Sequence, residues 1–380
     1  MSSAPSPHPE TTAVHAGRAP DPVTGAVTPN LVFSSTFARD DQGQLVGGHI
    51  YSRTSNPNRT ALEAALAALE GGTHSLAFAS GQAAAAAIFA ALAPGDRVIL
   101  PDDLYHGTRY LATNEFARWG LAADFVDTSD LAAVAVALQK PARVVWLETP
   151  SNPRLKISDL AAVAKLARAA GALVVVDNTW ATPVLTQPLA LGAHVVLHST
   201  TKYLGGHSDL LGGALVLSPD APSDLLTRLR SWQNLGGAVP APFDCWLLLR
   251  SLSTLPLRVR AQSATAATLA AWLAGHPQVE RVYYPGLSSH PNHVVAAQQM
   301  SAFGGMISFE VRGGHDAAKA VACRVKLITA ATSLGGVESL IEHRRPVEGP
   351  ASVTPPGLLR FSVGLEHVDD LRADLAQALG

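Results

Sequence analysis

The chain has only two cysteines, Cys245 and Cys323, far apart and outside any CxxC spacing. That scarcity excludes a disulfide framework and indicates no structural zinc site. Charge of one sign is equally lacking: Lys and Arg number 28 against 30 Asp and Glu, for a formal net charge of −2, and no run of like charge stands out. Nothing here offers the electrostatic footprint of a nucleic-acid or anionic-membrane binder. The longest apolar run, Ala83 to Pro94, is too short to span a bilayer, and the N-terminal MSSAPSPHPE has neither a basic stretch nor an apolar core. The expectation is a soluble, cytoplasmic protein. No GxGxxG follows a strand and no GxxxxGK(S/T) occurs, so nicotinamide and nucleoside-triphosphate chemistry lose their main support. His290 and His293 flank a Pro-Asn pair and read as solvated loop, not as metal ligands. No metal is expected.

What is present is enough apolar residue in 380 to bury a sizeable core in two or so domains of about 150 residues each. Residues 1–50, rich in Pro, Ser, Thr and Gly, read as an extended arm of the kind that embraces a partner subunit. Between about 51 and 235, strands and helices alternate. Strands are expected over His74–Ala79, Arg97–Leu100, Leu121–Val126, Val144–Glu148, Ala172–Asp177, His194–Ser199 and Ala214–Leu217. Helices are expected over Gln82–Leu92, Thr108–Trp119, Leu131–Leu138 and Ser158–Ala170. Alternation of this kind implies right-handed crossovers and a mostly parallel seven-stranded α/β sheet covered by helices on both faces. Only the link from Ser199 to Gly213 is too short for a helical crossover, which makes the last strand the antiparallel member. From 236 to 380, one long helical stretch, Asp244–Leu273 with Pro256 inside it, precedes shorter elements that read as a smaller α+β domain.

In an open α/β sheet, ligands bind beyond the carboxyl ends of the strands, so the residues just after each strand belong together. The first strand is followed by Ser80, Gly81 and Gln82, which open a helix whose free N–H groups and dipole suit a phosphate. Beyond the second comes Tyr105, a ring able to stack on a flat cofactor. The fourth delivers Glu148 and the rigid Thr149-Pro150-Ser151-Asn152-Pro153, and the fifth ends in Asp177 with Thr179 two residues on. The sixth delivers Ser199, Thr201 and Lys202. A lysine at the mouth of an apolar sheet is partly desolvated, which favours the nucleophilic amine that condenses with an aldehyde. Singly, each piece has an ordinary reading: a Ser helix cap, a turn Asp, a packed Tyr, a surface lysine in a Gly-rich loop. Together they make a phosphate cradle, a stacking ring, a carboxylate for a pyridinium nitrogen and a carbonyl-capturing amine, which pyridoxal phosphate requires. His198 and His207 beside the lysine read as structural or supporting groups.

The runs YSRTSNP, ASGQAA, DDLYHGT, ETPSNP, VVVDNTW, HSTTKYLGGHSDLLGG, TSLGGVESL and LLRFSVGLE resemble the pyridoxal-phosphate enzymes of cysteine and methionine metabolism, the cystathionine γ-lyase and γ-synthase family. The resemblance runs from about Tyr51 to the C-terminus and implies a fold-type I, aspartate aminotransferase-like architecture. By that resemblance Lys202 holds the cofactor and moves protons, Asp177 pairs with the ring nitrogen and Tyr105 stacks. Ser80, Gly81, Gln82, Thr179, Ser199 and Thr201 surround the cofactor. Tyr51 and Arg53 reach the phosphate of a neighbouring subunit, so that a homodimer is the minimal active unit and a homotetramer is expected. Asn152, with Arg360, Ser333 and Tyr51, holds the substrate, an L-amino acid carrying sulfur. The implied reaction is γ-elimination, cystathionine γ-lyase first, with cystathionine γ-synthase or methionine/homocysteine γ-lyase as alternatives and a non-catalytic binding protein as a remote one. The run starting at Gln233 resembles γ-lyases, and Gly107 stands where methionine γ-lyases usually carry cysteine. Ile50 and Thr332 stand where cystathionine-handling γ-enzymes tend to carry acids. The stretch Arg344 to Pro350 also departs from the expected Met-Thr-His-Ala pattern.

Overall fold

A computed structural model describes residues 7–349 and 352–380; the start of the expected arm and the last residue of the stretch Arg344 to Pro350 lie outside it. Seven strands form the larger sheet: β1 (His74–Phe78), β2 (Arg97–Pro101), β3 (Ala122–Val126), β4 (Val144–Glu148), β5 (Leu173–Asp177), β6 (Val195–His198) and β7 (Gly213–Leu217). Their order is β1-β7-β6-β5-β4-β2-β3. β7 runs antiparallel to both β1 and β6, and the other pairings are parallel. The central strands are continuous apolar runs because both faces are covered. Alternation along β4 sends Val144 and Trp146 into one core and Val145 and Leu147 into the other. The first core is closed by the helix Gly81–Ala90 and the second by Leu160–Ala169. Full burial of such side chains is worth about 1.5–3 kcal/mol each. Truncating Leu147 to Ala is expected to cost about 2–5 kcal/mol.

The C-terminal part builds a second sheet from β8 (Val279–Tyr283), β9 (Met306–Val311), β10 (Thr329–Ala330), β11 (Leu340–His343) and β12 (Leu358–Ser362), in the order β10-β11-β12-β9-β8. One face carries Ile307, Phe309, Ile341 and Phe361 into a core with the helices Leu255–Ala274, Gly314–Arg324 and Val368–Leu379. With a period of two, Ser308, Glu342 and Arg360 alternate with those core residues, and they are cross-strand partners of one another. Ser308 Oγ donates to the Pro153 carbonyl at 2.7 Å, joining this sheet to the loop after β4.

Several boundaries differ from expectation for identifiable reasons. The long helical stretch divides into Pro242–Leu252 and Leu255–Ala274, because Pro256 belongs in a first turn, where its missing N–H goes unused. Thr108–Trp119 is not one regular helix: a short α segment, His106–Tyr110, passes into π and 3₁₀ turns. There Thr113 Oγ1 donates back to the Arg109 carbonyl at 2.9 Å, the side-chain bond that competes with a regular ladder. Among its described residues the arm contains a helix, Pro9–His15, and otherwise only isolated bridges, Thr36 with Tyr51 and Arg39 with Leu45. The helix Ser223–Gly236, β10, β11 and the short helix Arg344–Glu348 were not anticipated. No helix among the described residues is long and apolar enough to cross a membrane.

Candidate active site

The carboxyl ends of the parallel strands meet one face of the second sheet around a cavity of ≈ 260 Å³. From the first sheet, Ser80, Gly81, Gln82, Tyr105, Asn152, Asp177, Thr179, Ser199, Thr201 and Lys202 line it; from the other side come Ser333 and Arg360. The anticipated residues within one chain therefore converge. Tyr51 and Arg53 do not line this cavity. Tyr51 is exposed, and Arg53 donates to the Asn234 carbonyl at 2.7 Å with its guanidinium 5.5 Å from the Tyr51 ring.

Each position has a local cause. Ser80 caps the helix Gly81–Ala90 by accepting from the Ala83 N–H at 3.1 Å, leaving other first-turn N–H groups directed at the cavity end. Gly81 is required there: a Cβ would stand 2.8 Å from the Ser199 Cβ. The Ser199 N–H donates to Thr179 Oγ1 at 2.9 Å, which fixes the loops after β5 and β6 against each other. Thr201 Oγ1 donates to the Gly212 carbonyl and accepts from the Gly212 N–H, so the lysine loop is tied to the start of β7. Tyr105 is held by its own N–H, which donates to Glu148 Oε2 at 2.9 Å.

Three of the buried titratable groups here are shifted by their surroundings. Lys202 is lowered to about 8, first by burial and then by the charge of Arg360, and its Nζ donates to Ser333 Oγ at 2.8 Å. Ser333 adopts a left-handed backbone, φ 86°, at the turn that presents this hydroxyl. Glu148 and Asp177 are register partners at the tips of β4 and β5. Burial, then the charge of Asp177, pushes Glu148 well above the ordinary carboxylate range. Burial also raises Asp177, opposed by hydrogen bonds from the Thr179 hydroxyl and N–H. Burial thus disfavours the charge of both, and at Glu148 the neighbouring Asp177 carboxylate adds to it, while Thr179 supports the charged form of Asp177.

A narrow cradle of backbone N–H and hydroxyl groups, a carboxylate at the far end, a ring at the wall and a weakly basic amine fit pyridoxal phosphate. Arg360, at 4% exposure, donates to Asn152 Oδ1 at 3.3 Å and to the Ser333 carbonyl at 3.1 Å, a fork suited to a carboxylate. A family profile described as Cys/Met metabolism PLP-dependent enzyme matches residues 10–380. The chain belongs to that family. It is thus a pyridoxal-phosphate-dependent enzyme of the carbon–sulfur lyase and synthase group, with the fold-type I architecture.

Its relatives carry several activities. It is 50% identical to the cystathionine gamma-synthase of Mycobacterium tuberculosis over 98% of this chain and 97% of that one. Identity to the cystathionine beta-lyase of Coxiella burnetii is 46%, with 98% of each chain covered. For the cystathionine gamma-lyase of Bacillus subtilis it is 44%, over 97% of this chain and 98% of that one. The crystal structure of metB from Corynebacterium glutamicum superposes with a TM-score of 0.95 at 44% identity, over 98% of both chains.

Other lining residues escaped the sequence reading. Trp180 ends the run after β5, so extending the strand-end search by one residue would have found it. His106 follows Tyr105 and needed only the same extension, whereas Thr108 lies three residues beyond Tyr105, inside the next helical segment. Arg344 carried no signal beyond lying in a stretch that departs from the family pattern. Gln233 serves the scaffold: it donates to the Ala77 carbonyl at 2.6 Å and to Glu63 at 3.0 Å, and does not line the cavity. His198 pairs with buried Glu70 at 2.6 Å, and His207 Nδ1 meets the Gly205 carbonyl at 2.8 Å; neither lines the cavity. His290 and His293 each place a ring nitrogen on a backbone carbonyl, of Leu155 and Pro285.

Proposed function

We propose that the enzyme works at the γ-carbon of a four-carbon L-amino acid, making or breaking the carbon–sulfur bond of cystathionine. Lys202 carries this reading: a lysine of pKa about 8, 2.8 Å from Ser333 Oγ and backed by Arg360, is a base and proton carrier suited to neutral pH. When bound, pyridoxal phosphate supplies the electron sink for the charge left as the Cα proton departs. Lys202 and Asp177 would hold that cofactor, with Tyr105 at its wall and Ser80, Gly81, Gln82, Thr179, Ser199 and Thr201 around it. Arg360 and Asn152 grip the substrate's α-carboxylate, with Ser333 beside them. Lys202 Nζ takes the Cα proton and returns it further along the substrate.

Of the two directions, γ-replacement is favoured. The 50% identity to a gamma-synthase against 44% to a gamma-lyase supports this direction, while Thr332 in the cavity wall and the exposed Ile50, where cystathionine-handling enzymes of both directions tend to carry acids, do not separate the two. The Gln233 run that resembles γ-lyases supports the scaffold instead of the site. Cystathionine γ-elimination is the second reading, supported by the 44% identity to a gamma-lyase. Tyr51 and Arg53, outward-facing in their own chain, are assigned to the cavity of a second copy. The deciding experiment compares cystathionine formed from an O-acylhomoserine and cysteine with 2-oxobutanoate released from cystathionine, methionine and homocysteine. Fast release from cystathionine without synthesis would overturn the preference. Mixing Lys202→Ala with Arg53→Ala subunits tests the shared site: random dimers should regain about a quarter of native turnover.

A further inference from the structure

Arg344 and Arg360 reach the same carboxylate. Glu342 Oε2 accepts from Arg360 Nη2 at 2.7 Å and from Arg344 Nη1 at 2.7 Å. Arg344 in turn donates through Nε and Nη2 to Glu348 Oε1 at 3.3 and 3.2 Å, an i,i+4 pair across the helix Arg344–Glu348. Glu348 is itself fixed by the hydroxyls of Ser352 and Thr354 at 2.7 and 2.6 Å. Arg344, Glu342 and Arg360 are 3%, 9% and 4% exposed, so water screens this chain of charges little. In order the charges are Glu348, Arg344, Glu342, Arg360. They alternate, and the cavity end is a cation.

The alternation has a consequence for binding. A carboxylate 2.7 Å from Arg360 and answered by nothing else would cancel most of the attraction that Arg360 offers an incoming anion. It would also draw the guanidinium away from Asn152. We propose that Arg344 is a positioning residue: it engages Glu342 so that Arg360 keeps one face and an unspent attraction for the substrate α-carboxylate. This rests on the assignment of Arg360 given above. It also gives the unusual stretch beginning at Arg344 a task, since a short helix there sets Arg344 between Glu342 and Glu348.

The test uses holoenzyme and two probes without a γ-leaving group, glycine and glycinamide, titrated against the cofactor's absorbance. Only glycine carries an α-carboxylate. Arg344→Gln should weaken glycine about tenfold and leave glycinamide unchanged, a preference lost in proportion to the interaction removed. Arg344→Lys, which retains a donor for Glu342, should stay within about threefold of native, and Glu342→Gln/Arg344→Gln should return to that range. If Arg360→Gln leaves the glycine-to-glycinamide preference intact, the carboxylate assignment fails and the proposal with it. If Arg360→Gln abolishes the preference while Arg344→Gln does not alter it, or the double variant binds as weakly as the single, the positioning role alone is overturned. Equal weakening of both probes would reduce Arg344 to a structural residue and also overturn it. Should Arg344→Gln fail to load cofactor, Glu342→Gln is compared with the double variant: less than about twofold between them for glycine supports the role, and tenfold refutes it.

Discussion

The two walls of the cavity are built by different means. On the cofactor side, nearly every group sits within four residues of a parallel strand's end, where the topology brings separate loops together. On the substrate side, Arg360 and Glu342 come from the middle and end of antiparallel strands, Ser333 from the turn before β11 and Arg344 from the short helix after it. The first wall is a by-product of sheet architecture, so its positions are tightly set. The second is held by pairwise electrostatics among buried charges, Glu342, Arg344 and Arg360.

Lys202→Ala should separate the walls most sharply: turnover is expected to fall about a thousandfold or more while the fold persists, read by product formation alongside circular dichroism. On the substrate wall, Arg360→Gln should raise KM about a hundredfold with a smaller change in kcat, as expected when a buried charge loses its carboxylate partner. Asp177→Asn and Glu148→Gln contrast neighbours on the cofactor wall. Because burial and the Asp177 charge push Glu148 well above the ordinary carboxylate range while Thr179 supports the charge of Asp177, Glu148→Gln should change kcat less than about threefold, whereas Asp177→Asn should cost about a hundredfold. Comparable losses in both would mean that the proton is shared differently. A pH series on the apoprotein sharpens the picture of Lys202. Its folded value, about 8, lies below the ordinary 10.5, so between them the unfolded chain binds the extra proton. This group then favours folding increasingly as pH rises through that window, with no contribution below about pH 8 that changes with pH; denaturant midpoints of native and Lys202→Met apoprotein would separate accordingly. A modest effect is also expected at Gly107, where a Cβ would meet Tyr105 at 2.5 Å and Gln82 at 2.6 Å. Both are side-chain ends able to move, so Gly107→Cys should loosen the cofactor only several-fold, measured by its dissociation rate.

The same contrast governs what could be read in advance. Lys202, Asp177 and Ser80 were legible because an apolar, β-branched run announces a buried strand and the next few residues must lie at its mouth. The antiparallel β7 was legible from a link too short for a crossover. Arg344 was not, since its meaning depends on Glu342 two residues back, Glu348 four ahead and Arg360 on a neighbouring strand. No periodicity encodes such a triangle. β11 was hidden for a related reason: LIEH mixes a core position with charges that are buried only because they find partners. The apparent single helix across Pro256 shows the opposite error, a proline interior to the pattern but at the first turn of the element itself.

The join between the sheets, where Ser308 holds the Pro153 carbonyl and Arg360 meets Asn152, has a thermodynamic side. An amino acid held by Asn152 and Arg360 at once would act as a fastener between the two sheets, adding to the core they share through Val196, Val216, Met306 and Leu358. Its concentration then enters the unfolding equilibrium by mass action, and the enzyme should be most resistant to heat and proteolysis while its substrate is abundant.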